Sequence, residues 1–301
     1  MRSSIPVLLL IVLLSCGSTG QHENALQYQG PRPDSAITSA EFFDTTLAYA
    51  WMKSPDTVNT LCRRIPVPEG FTRIPAENGS YASWLRHLPL LKSGSPVMLY
   101  NGEEKNNQRA HHAVLNIDVG TRDLQQCADA VMRLRAEYLF SKKDWEQLHF
   151  NYTSGDKIDF KRWSEGKRPV VSGNKVSWNG SGKSGKEHAN FRDYMNNVFQ
   201  YAGSKSLSGE LKPVKNEDMK PGDVFILGGF PGHAVTVLDM AVNPKTGKKI
   251  FLLCQSYMPA QQIHVLKNPN SPAISPWYSL DFTGDLETPE WTFAPNSLKR
   301  F

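Results

Sequence analysis

The pattern of apolar and polar positions divides the chain into a short apolar segment, a polar stretch and a long globular region. Apolar residues run from Ile5 to Leu14 behind the basic Arg2, and small residues follow them. A basic flank followed by about ten apolar residues is typical of a secretory signal, and such a run is too short to span a bilayer permanently. We therefore predict a signal peptide over residues 1–16.

The end of this segment, Leu13-Leu14-Ser15-Cys16, has the form of a bacterial lipobox. In such a sequence the cysteine is acylated and becomes the first residue of the mature protein, and several acyl chains together anchor a protein stably. The alternative is an ordinary signal peptide in which Cys16 occurs by chance. The lipobox predicts a lipoprotein anchored to a membrane of the bacterial cell envelope, facing the periplasm or the surface. Residues 17–39 are polar and would form a flexible tether.

From residue 40 onward the spacing of apolar residues becomes that of a folded domain. One helix is predicted by apolar positions that recur at helical intervals, namely Leu124, Cys127, Val131, Leu134 and Tyr138. Asp123 followed by Gln126 fits a capping box, so we expect this helix to begin at Leu124. A strand over 113–119 is expected before it, and a second helix over 190–202.

Residues 151–190 have a different composition, rich in Gly, Ser and Lys, with Trp163 and Trp178 among them. We interpret this segment as a long excursion on the surface, with a hairpin around Gly173-Asn174. Its basic side chains form either an ordinary solvated face or a rim for an anionic or glycan partner. No repeat or further boundary interrupts the sequence, so residues 40–301 are predicted to form a single domain.

The C-terminal third is dominated by strand patterns. Apolar runs over 222–242 and 248–266 flank the turn sequence Asn-Pro-Lys-Thr-Gly at 243–247. This arrangement predicts an antiparallel hairpin. Together with the predicted helix it indicates an α+β fold in which a helix packs on an antiparallel sheet.

The hairpin brings polar residues of two strands together. If the turn is centred on Lys245, Gln255 lies diagonally beside His233 on the same face of the sheet. A slip of one residue would place Ser256 there instead, because register parity decides the face. Alternation also puts Asp239 on the face of His233, but about 20 Å away along the strand. Gln255 or Ser256 is therefore the candidate to orient the imidazole.

Composition and sequence motifs exclude several classes of function, and the cysteine count predicts a free thiol. A net charge of +5 over 301 residues is too small to indicate nucleic acid, and no nucleic-acid or nucleotide motif is present. No HExxH, CxxC or EF-hand pattern occurs, so neither a metal nor another cofactor is predicted. The cysteines are Cys16, Cys62, Cys127 and Cys254. If Cys16 carries lipid, the other three cannot all pair, and at least one thiol stays free.

A cysteine near a helix start, a strand histidine and a polar residue on the next strand are the groups that a thiol enzyme needs. A helix N-terminus lowers the pKa of a thiol, an imidazole accepts its proton, and a third group orients the imidazole. This assigns Cys127 as nucleophile, His233 as base and Gln255, or Ser256, as the orienting residue. The opposing interpretation is that Cys127 only packs, since it lies on the apolar helix face and free cysteine is often buried.

The residues after Gln255 are candidates for the wall of a cleft. Tyr257 and Met258 would form its apolar side. His264 is either a second histidine of the site or a surface residue at the end of a strand. Cys62 and Cys254 are interpreted as packing residues.

The C-terminal part contains a strand start at Pro221-Gly222-Asp223, the histidine of GHAVTVLD and a further strand after it. These motifs resemble those of NlpC-type papain-like cysteine peptidases of the bacterial envelope. The resemblance implies a papain-like fold and a triad of Cys127, His233 and Gln255 or Ser256. The chain departs from that family in its Gln-Cys-Ala run, where the family has an Asp-Cys-Ser type, and in its longer spacing from cysteine to histidine.

Five stretches are distributed along the chain: QCADAVMRLRAEYL, YAGSKSL, PGHAVTVLD, QSYMPAQQIHVLKNP and TPEWTF. Through them the chain resembles, over its full length, a family of bacterial lipoproteins defined by the domain of unknown function numbered 4846. That family implies fold membership and no established activity.

The sequence as a whole predicts a lipid-anchored envelope protein that cleaves an amide or peptide bond, in cell-wall peptide, by acyl transfer through Cys127. The alternative is a non-catalytic envelope lipoprotein that binds a glycan, a peptide or a protein partner in the same cleft.

Overall fold

A computed structural model of the chain describes residues 44–54 and 56–301. These residues belong to one compact unit that spans residues 39–301. The predicted signal peptide, the acylation site Cys16 and the tether over residues 17–39 lie outside the described residues. Within the described ranges, no helix has the length and apolar character needed to cross a membrane.

The described residues form helices and strands in irregular alternation, and the longest elements are α3, α5 and β9. The α-helices are α1 (Leu61–Arg64), α2 (Tyr81–Arg86), α3 (Cys127–Ser141), α4 (Phe160–Ser164), α5 (His188–Tyr201) and α6 (Ser204–Glu210). The first strands are β1 (Thr72–Arg73), β2 (His111–Val114), β3 (His149–Asn151), β4 (Lys157–Asp159), β5 (Arg168–Ser172), β6 (Lys175–Asn179), β7 (Lys212–Pro213) and β8 (Val224–Leu227). The remaining strands are β9 (His233–Val242), β10 (Lys249–Gln255), β11 (His264–Leu266), β12 (Tyr278–Ser279), β13 (Leu286–Glu287), β14 (Thr292–Phe293) and β15 (Leu298–Arg300).

The main sheet has the strand order β2-β11-β10-β9-β8-β15-β7, with β1 added to β9 and β12 added to β10. The paired strands run antiparallel. Three further hairpins, β3–β4, β5–β6 and β13–β14, lie beside it. The mixture of helices and antiparallel sheet confirms the predicted α+β class.

Different parts of the chain cover the two faces of the main sheet. Leu238 and Ala241 of β9 pack in a cluster with residues of α2 and α3. Val235 and Val237 of the same strand pack on the other side, in a cluster that includes Phe293 of β14. The central strands are therefore buried on both faces. Helix α3 covers one face, and the hairpin β13–β14 covers the other.

Helix α3 begins at Cys127, later than the predicted start at residue 124. Gln126 is the N-cap, and its backbone N–H donates to the Asp129 carboxylate at 3.1 Å. Asp123 does not cap the helix, because its carboxylate accepts the Ala260 N–H at 2.6 Å and the Gln126 side-chain amide at 3.0 Å. The predicted start was therefore wrong, and Cys127 occupies the first helical position.

The hairpin of β9 and β10 changes register once along its length. Near its turn Leu252 pairs with Asp239, but the next residue, Leu253, pairs with Val237. Leu238 is thus the extra residue of a β-bulge in β9. Beyond the bulge, away from the turn, each residue of β10 pairs with a β9 residue one position earlier than the register at the turn would give.

This bulge selects the residue that faces the start of β9. Beyond it Cys254 pairs with Thr236, and continued pairing sets Gln255 opposite Val235 on the face of His233. In the register found near the turn, Ser256 would take that place instead. The register predicted for Gln255 is therefore present at the site, although the register at the turn differs by one residue.

Asp239 is fully buried and binds two arginines. Its Oδ1 accepts hydrogen bonds from Nε and Nη2 of Arg86 at 2.9 and 2.7 Å, and its Oδ2 accepts one from Nε of Arg73 at 2.7 Å. The carboxylate thereby ties β9 to β1 and to α2. The expectation that Asp239 shares the face of His233 was wrong, because the bulge interrupts the alternation between them.

The segment 151–190 differs in one part from the predicted surface excursion. Ile158 and Phe160 are fully buried and Trp163 is nearly so, in a cluster that includes residues of α3 and α5. The remainder contains the predicted hairpin, in which β5 and β6 flank Gly173-Asn174.

The strand predicted over 113–119 is shorter and earlier, since pairing with β11 is confined to β2.

Removal of the Asp239 charge is expected to destabilise the fold. In Asp239→Asn two arginine side chains remain buried without their counter-charge, and breaking a buried ion pair in this way costs about 3–5 kcal/mol. Urea unfolding at equilibrium would measure this cost as a lower free energy of unfolding. Asp281→Asn is the matched control, because Asp281 pairs with Lys248 on the exposed surface and should change stability by less than about 0.5 kcal/mol. Equal effects of the two substitutions would contradict the role assigned to Asp239.

Candidate active site

A glycine-rich loop over residues 228–232 joins β8 to β9 and leads into His233. The Ser204 hydroxyl of α6 donates to the carbonyl oxygen of Gly229 at 3.0 Å. Gly232 has no room for a side chain, because a Cβ atom would collide with that carbonyl oxygen and with the Ser204 hydroxyl. The loop is therefore held close to α6, and this fixes where β9 and its histidine begin.

A cavity of about 510 Å³ lies where the start of α3 meets the start of β9. Cys127 and His233 both line it, so the predicted nucleophile and base belong to one site. Asp129 also lines it and is buried. At the rim, the side chains of Phe230 and Met258 are 95% and 56% exposed, which gives the opening an apolar edge.

The Cys127 thiol is half-buried at the first position of α3, where backbone N–H groups lack helical partners. Backbone N–H groups of Cys127, Ala128 and Ala234 lie near the sulfur and favour its thiolate form. Ala234 follows His233 in β9, so the sulfur lies beside the strand that carries the imidazole. Burial raises the pKa of the Cys127 thiol to about 11, the Asp129 carboxyl acts in the same direction, and the N–H groups oppose them. The thiol is therefore protonated at neutral pH.

The Gln255 side chain fixes which nitrogen of His233 carries the proton. Gln255 Oε1 lies 2.8 Å from His233 Nε2. Gln255 Nε2 donates to Glu290 Oε2 at 2.7 Å and lies 3.4 Å from Nε2 of His264. Since the amide nitrogen faces these acceptors, the amide oxygen faces His233 and accepts its Nε2–H. Nδ1 of His233 is then the basic nitrogen.

Aromatic rings enclose the His233 imidazole. The ring centroids of Tyr257, Trp291 and Phe293 lie 4.8, 5.2 and 5.8 Å from it. Burial lowers the pKa of His233 to about 4, while the hydrogen bond to Gln255 acts in the opposite direction. The imidazole is therefore neutral at neutral pH and able to accept a proton.

Ser256 is not in contact with the imidazole. Its buried hydroxyl hydrogen-bonds to the carbonyl oxygens of Gln125 and Gln261, each at 2.8 Å. It thereby joins the end of β10 to the segment before α3. The alternative in which Ser256 orients His233 does not match this geometry, because the bulge in β9 turns Gln255 to that face instead.

The predicted cleft residues separate into two groups. Tyr257 and Met258 line the cavity. His264 is fully buried in β11 and does not line the cavity, so the cleft-lining and surface positions expected for it were wrong. Its Nε2 lies 3.4 Å from Gln255 Nε2, which places it in the hydrogen-bond network behind His233. Pairing of β11 with both β10 and β2 explains its burial, since His264 is opposite Gln255 on one side and Val114 on the other.

The other two described cysteines differ from Cys127 in acidity and in access. Cys62 is buried, and although burial opposes it, the hydrogen bond and charge of His87 lower the pKa of the Cys62 thiol. Cys254 is buried in the cluster of the helix-covered face, and burial raises the pKa of its thiol. Neither residue lines the cavity that contains Cys127.

A model of the family described as "Domain of unknown function (4846)" matches residues 61–300. The chain belongs to this family. The match spans the whole main sheet, both walls of the cavity and the hairpin β13–β14, and it confirms the family predicted from the sequence. No curated protein and no solved structure matches the chain.

In this member of the 4846 family, sequence reasoning missed two residues that contact the histidine network. Glu290 and Trp291 follow Thr288 and Pro289 in the turn between β13 and β14. The hydroxyl of Thr288 accepts the Trp291 N–H at 3.1 Å and donates to the Trp291 carbonyl oxygen at 2.7 Å. The sequence signal was a Thr-Pro turn that carries an acid and an aromatic residue, but it contains nothing that links residue 290 to residue 255.

Three histidine, cysteine or acidic side chains that could together hold a metal ion do not occur among residues 44–54 and 56–301.

Histidine NMR of the nitrogen-15-labelled protein should find His233 neutral and protonated at Nε2 at pH 7, with a titration midpoint near its pKa of about 4. Gln255→Leu removes the acceptor at Nε2, so we expect both neutral tautomers and a lower midpoint. Gln200→Leu, at an exposed position of the same cavity, is the control and should leave the His233 signals unchanged. An Nδ1-protonated ring in the unmodified protein would contradict the assignment.

Proposed function

We propose that this protein is a lipid-anchored envelope enzyme that hydrolyses amide or peptide bonds by acyl transfer through Cys127. The observation that carries the proposal is the 2.8 Å hydrogen bond between His233 Nε2 and Gln255 Oε1. It leaves Nδ1 as the basic nitrogen of an imidazole that lines the same cavity as the thiol. A nucleophile, a base and a group that orients the base are the parts that covalent catalysis requires.

In the proposed reaction the Cys127 sulfur attacks the acyl carbon while its proton passes to Nδ1 of His233. The N–H groups of Cys127 and Ala128 at the start of α3 stabilise the tetrahedral oxyanion. The imidazolium then protonates the leaving amine, the C–N bond breaks and a thioester remains. Water attacks the thioester with His233 as base, which releases the carboxylic acid and restores the thiol.

The acidities of the two groups determine how this attack begins. With a thiol pKa of about 11 and an imidazole pKa of about 4, both groups are neutral before substrate binds. Proton transfer must therefore accompany the attack of sulfur on the acyl carbon, instead of preceding it as in a preformed ion pair. General-base assistance of this kind accelerates reactions by about 10²–10⁴-fold.

Cell-wall peptide is the substrate class that we propose. The order of helix cysteine, strand histidine and neighbouring-strand glutamine supports this, since it is the papain-like, NlpC-type order. The cavity is large enough for part of a peptide, and ligand sites of about 300–1,000 Å³ are usual. Its apolar rim at Phe230 and Met258 would contact an apolar part of such a chain.

A second candidate function is binding without catalysis. The observation that favours it is the raised pKa of the Cys127 thiol, since a thiol that is protonated at rest is a poor nucleophile without assistance. In that case the cavity would hold a glycan, a peptide or a protein partner, and Cys127 would be one of its wall residues.

Soluble cell-wall peptides are the substrate with which to test catalysis, with mass spectrometry to detect cleaved amide bonds. We expect cleavage by the unmodified protein, no cleavage by Cys127→Ala, and a rate lower by about 10²-fold or more in His233→Ala because the general base is lost. Cys62→Ala is the matched control, since this thiol has the lowered pKa but lies outside the cavity, and it should retain activity.

Hydroxylamine added during turnover should trap the thioester as a hydroxamate. Activity that survives Cys127→Ala would refute the mechanism, and binding of these peptides without cleavage would favour the second candidate.

The anchor is tested separately in the bacterial host. We expect the full chain to incorporate an alkyne-bearing palmitate analogue and to fractionate with membranes. Cys16→Ala should abolish incorporation of the label, because Cys16 provides the acylated atom, whereas Cys62→Ala should not. Equal labelling of Cys16→Ala and the unmodified chain would exclude Cys16 as the site of acylation.

A further inference from the structure

Gln255 can hold His233 in the productive tautomer in only one of its two amide orientations. With Oε1 toward the imidazole, Nε2 of His233 donates and Nδ1 is basic. With the amide reversed, an N–H of Gln255 would face the imidazole, and Nε2 would have to be the acceptor. The proton would then lie on Nδ1, which could no longer receive the thiol proton. The orientation of one amide therefore decides whether the histidine can act as the base.

The Glu290 carboxylate defines that orientation from the side opposite His233. Its Oε2 accepts from Gln255 Nε2 at 2.7 Å, the shorter of the two contacts made by this amide nitrogen. A carboxylate is an acceptor only, so it cannot pair with the amide oxygen of a reversed Gln255. The second contact, to His264 Nε2 at 3.4 Å, acts in the same direction but is longer.

Other residues hold the Glu290 carboxylate in position. Lys105, whose side chain is only 6% exposed, donates to both of its oxygens. The side-chain amide of Asn107 donates to Oε1 at 3.1 Å. Lys105 is therefore a nearly buried cation whose partner is this carboxylate, and the pair extends the network from His233 to a segment far from it in sequence.

We propose that Glu290 is a positioning residue for the reaction of Cys127. It acts through Gln255, by holding the amide with its oxygen toward His233, so that Nδ1 stays able to take the thiol proton. This inference rests on the proposed function for its catalytic consequence. Its structural consequence, the tautomer of His233, is measurable whether or not the protein is an enzyme.

The variant to compare with the unmodified protein is Glu290→Gln, which keeps the shape of the side chain. A glutamine at 290 can also donate, so it can pair with Gln255 in either amide orientation. Histidine NMR at pH 7 on the nitrogen-15-labelled full chain should then show His233 as a mixture of Nε2-protonated and Nδ1-protonated rings. Glu287→Gln makes the same change at an exposed position on the same hairpin, and it should leave the single Nε2-protonated ring intact.

The consequence for chemistry is measured with iodoacetamide as the probe, as the rate of alkylation of Cys127 at pH 7 in the native protein. Since a base in the wrong tautomer cannot take the proton, we expect Glu290→Gln to react more slowly in proportion to its Nδ1-protonated fraction, which means about 2-fold for an equal mixture of the two rings. Glu287→Gln should react at the unmodified rate. Cys62 and Cys254 serve as internal references in every sample, because both are buried and should stay equally unreactive.

Loss of the Glu290 charge leaves Lys105 without its partner, so Glu290→Gln alone could fail to fold. Lys105→Met together with Glu290→Gln removes both charges and keeps an apolar chain of similar length at position 105. The double variant should fold and still show the mixture of His233 tautomers, because the acceptor-only group is still missing. A single Nε2-protonated ring in the folded double variant would overturn the proposal.

The outcomes separate this proposal from the proposed function. A mixture of tautomers with slower alkylation of Cys127 supports the positioning role. A mixture with unchanged alkylation, or an unchanged tautomer in Glu290→Gln, overturns it. If the unmodified protein never cleaves cell-wall peptide while Glu290→Gln changes both the tautomer and the alkylation rate, the proposed substrate fails and the positioning role stands.

Discussion

The shift of register at Leu238 is the constraint on which the site depends. One extra residue in β9 turns Gln255 toward His233 and sends Ser256 to the carbonyl oxygens of Gln125 and Gln261. It also turns Asp239 to the arginine of α2, so that the same bulge connects the sheet to its covering helices. Because the face of every residue in a strand follows from its register, a hairpin that kept the register of its turn along its whole length would place Ser256 instead of Gln255 beside His233. Asp239 would then share the face of His233 and could not meet Arg86.

The parts of the fold that the sequence predicted correctly are those set by local periodicity. The hairpins β5–β6 and β9–β10, the body of the cysteine helix and the proximity of Gln255 to His233 all follow from turn sequences, alternation or helical spacing. The start of α3 was missed because Asp123 and Gln126 are both plausible caps, and only the distant Ala260 N–H shows that Asp123 is already engaged. Glu290 was missed because its side-chain partners come from two segments distant from it, Lys105 with Asn107 and Gln255, and no local pattern encodes such a meeting. The register near the turn was missed for a related reason, since a bulge leaves no mark in an apolar run.

The cysteine with the lowered pKa and the cysteine that lines the cavity are different residues. Cys62 has the lowered pKa, provided by His87, yet it lies in the core away from the described cavity. Cys127 lines the cavity at the start of α3, beside the strand that carries His233, yet its thiol stays protonated at rest. A substrate reaches only the second of these, so the proposed chemistry depends on a base that acts during the attack. A resting thiol of this kind is also poorly reactive toward oxidants, since the thiolate is the reactive form.

The position of the hairpin β13–β14 along the chain has a consequence for biosynthesis. Glu290, Trp291 and Phe293 are translated long after Cys127. The imidazole can be enclosed and its tautomer fixed only after this hairpin has been made. A chain that emerges N-terminus first would therefore carry its thiol without a positioned base until then. An internal deletion confined to the hairpin β13–β14 would leave both predicted reactive residues in place without the surroundings that define their chemistry.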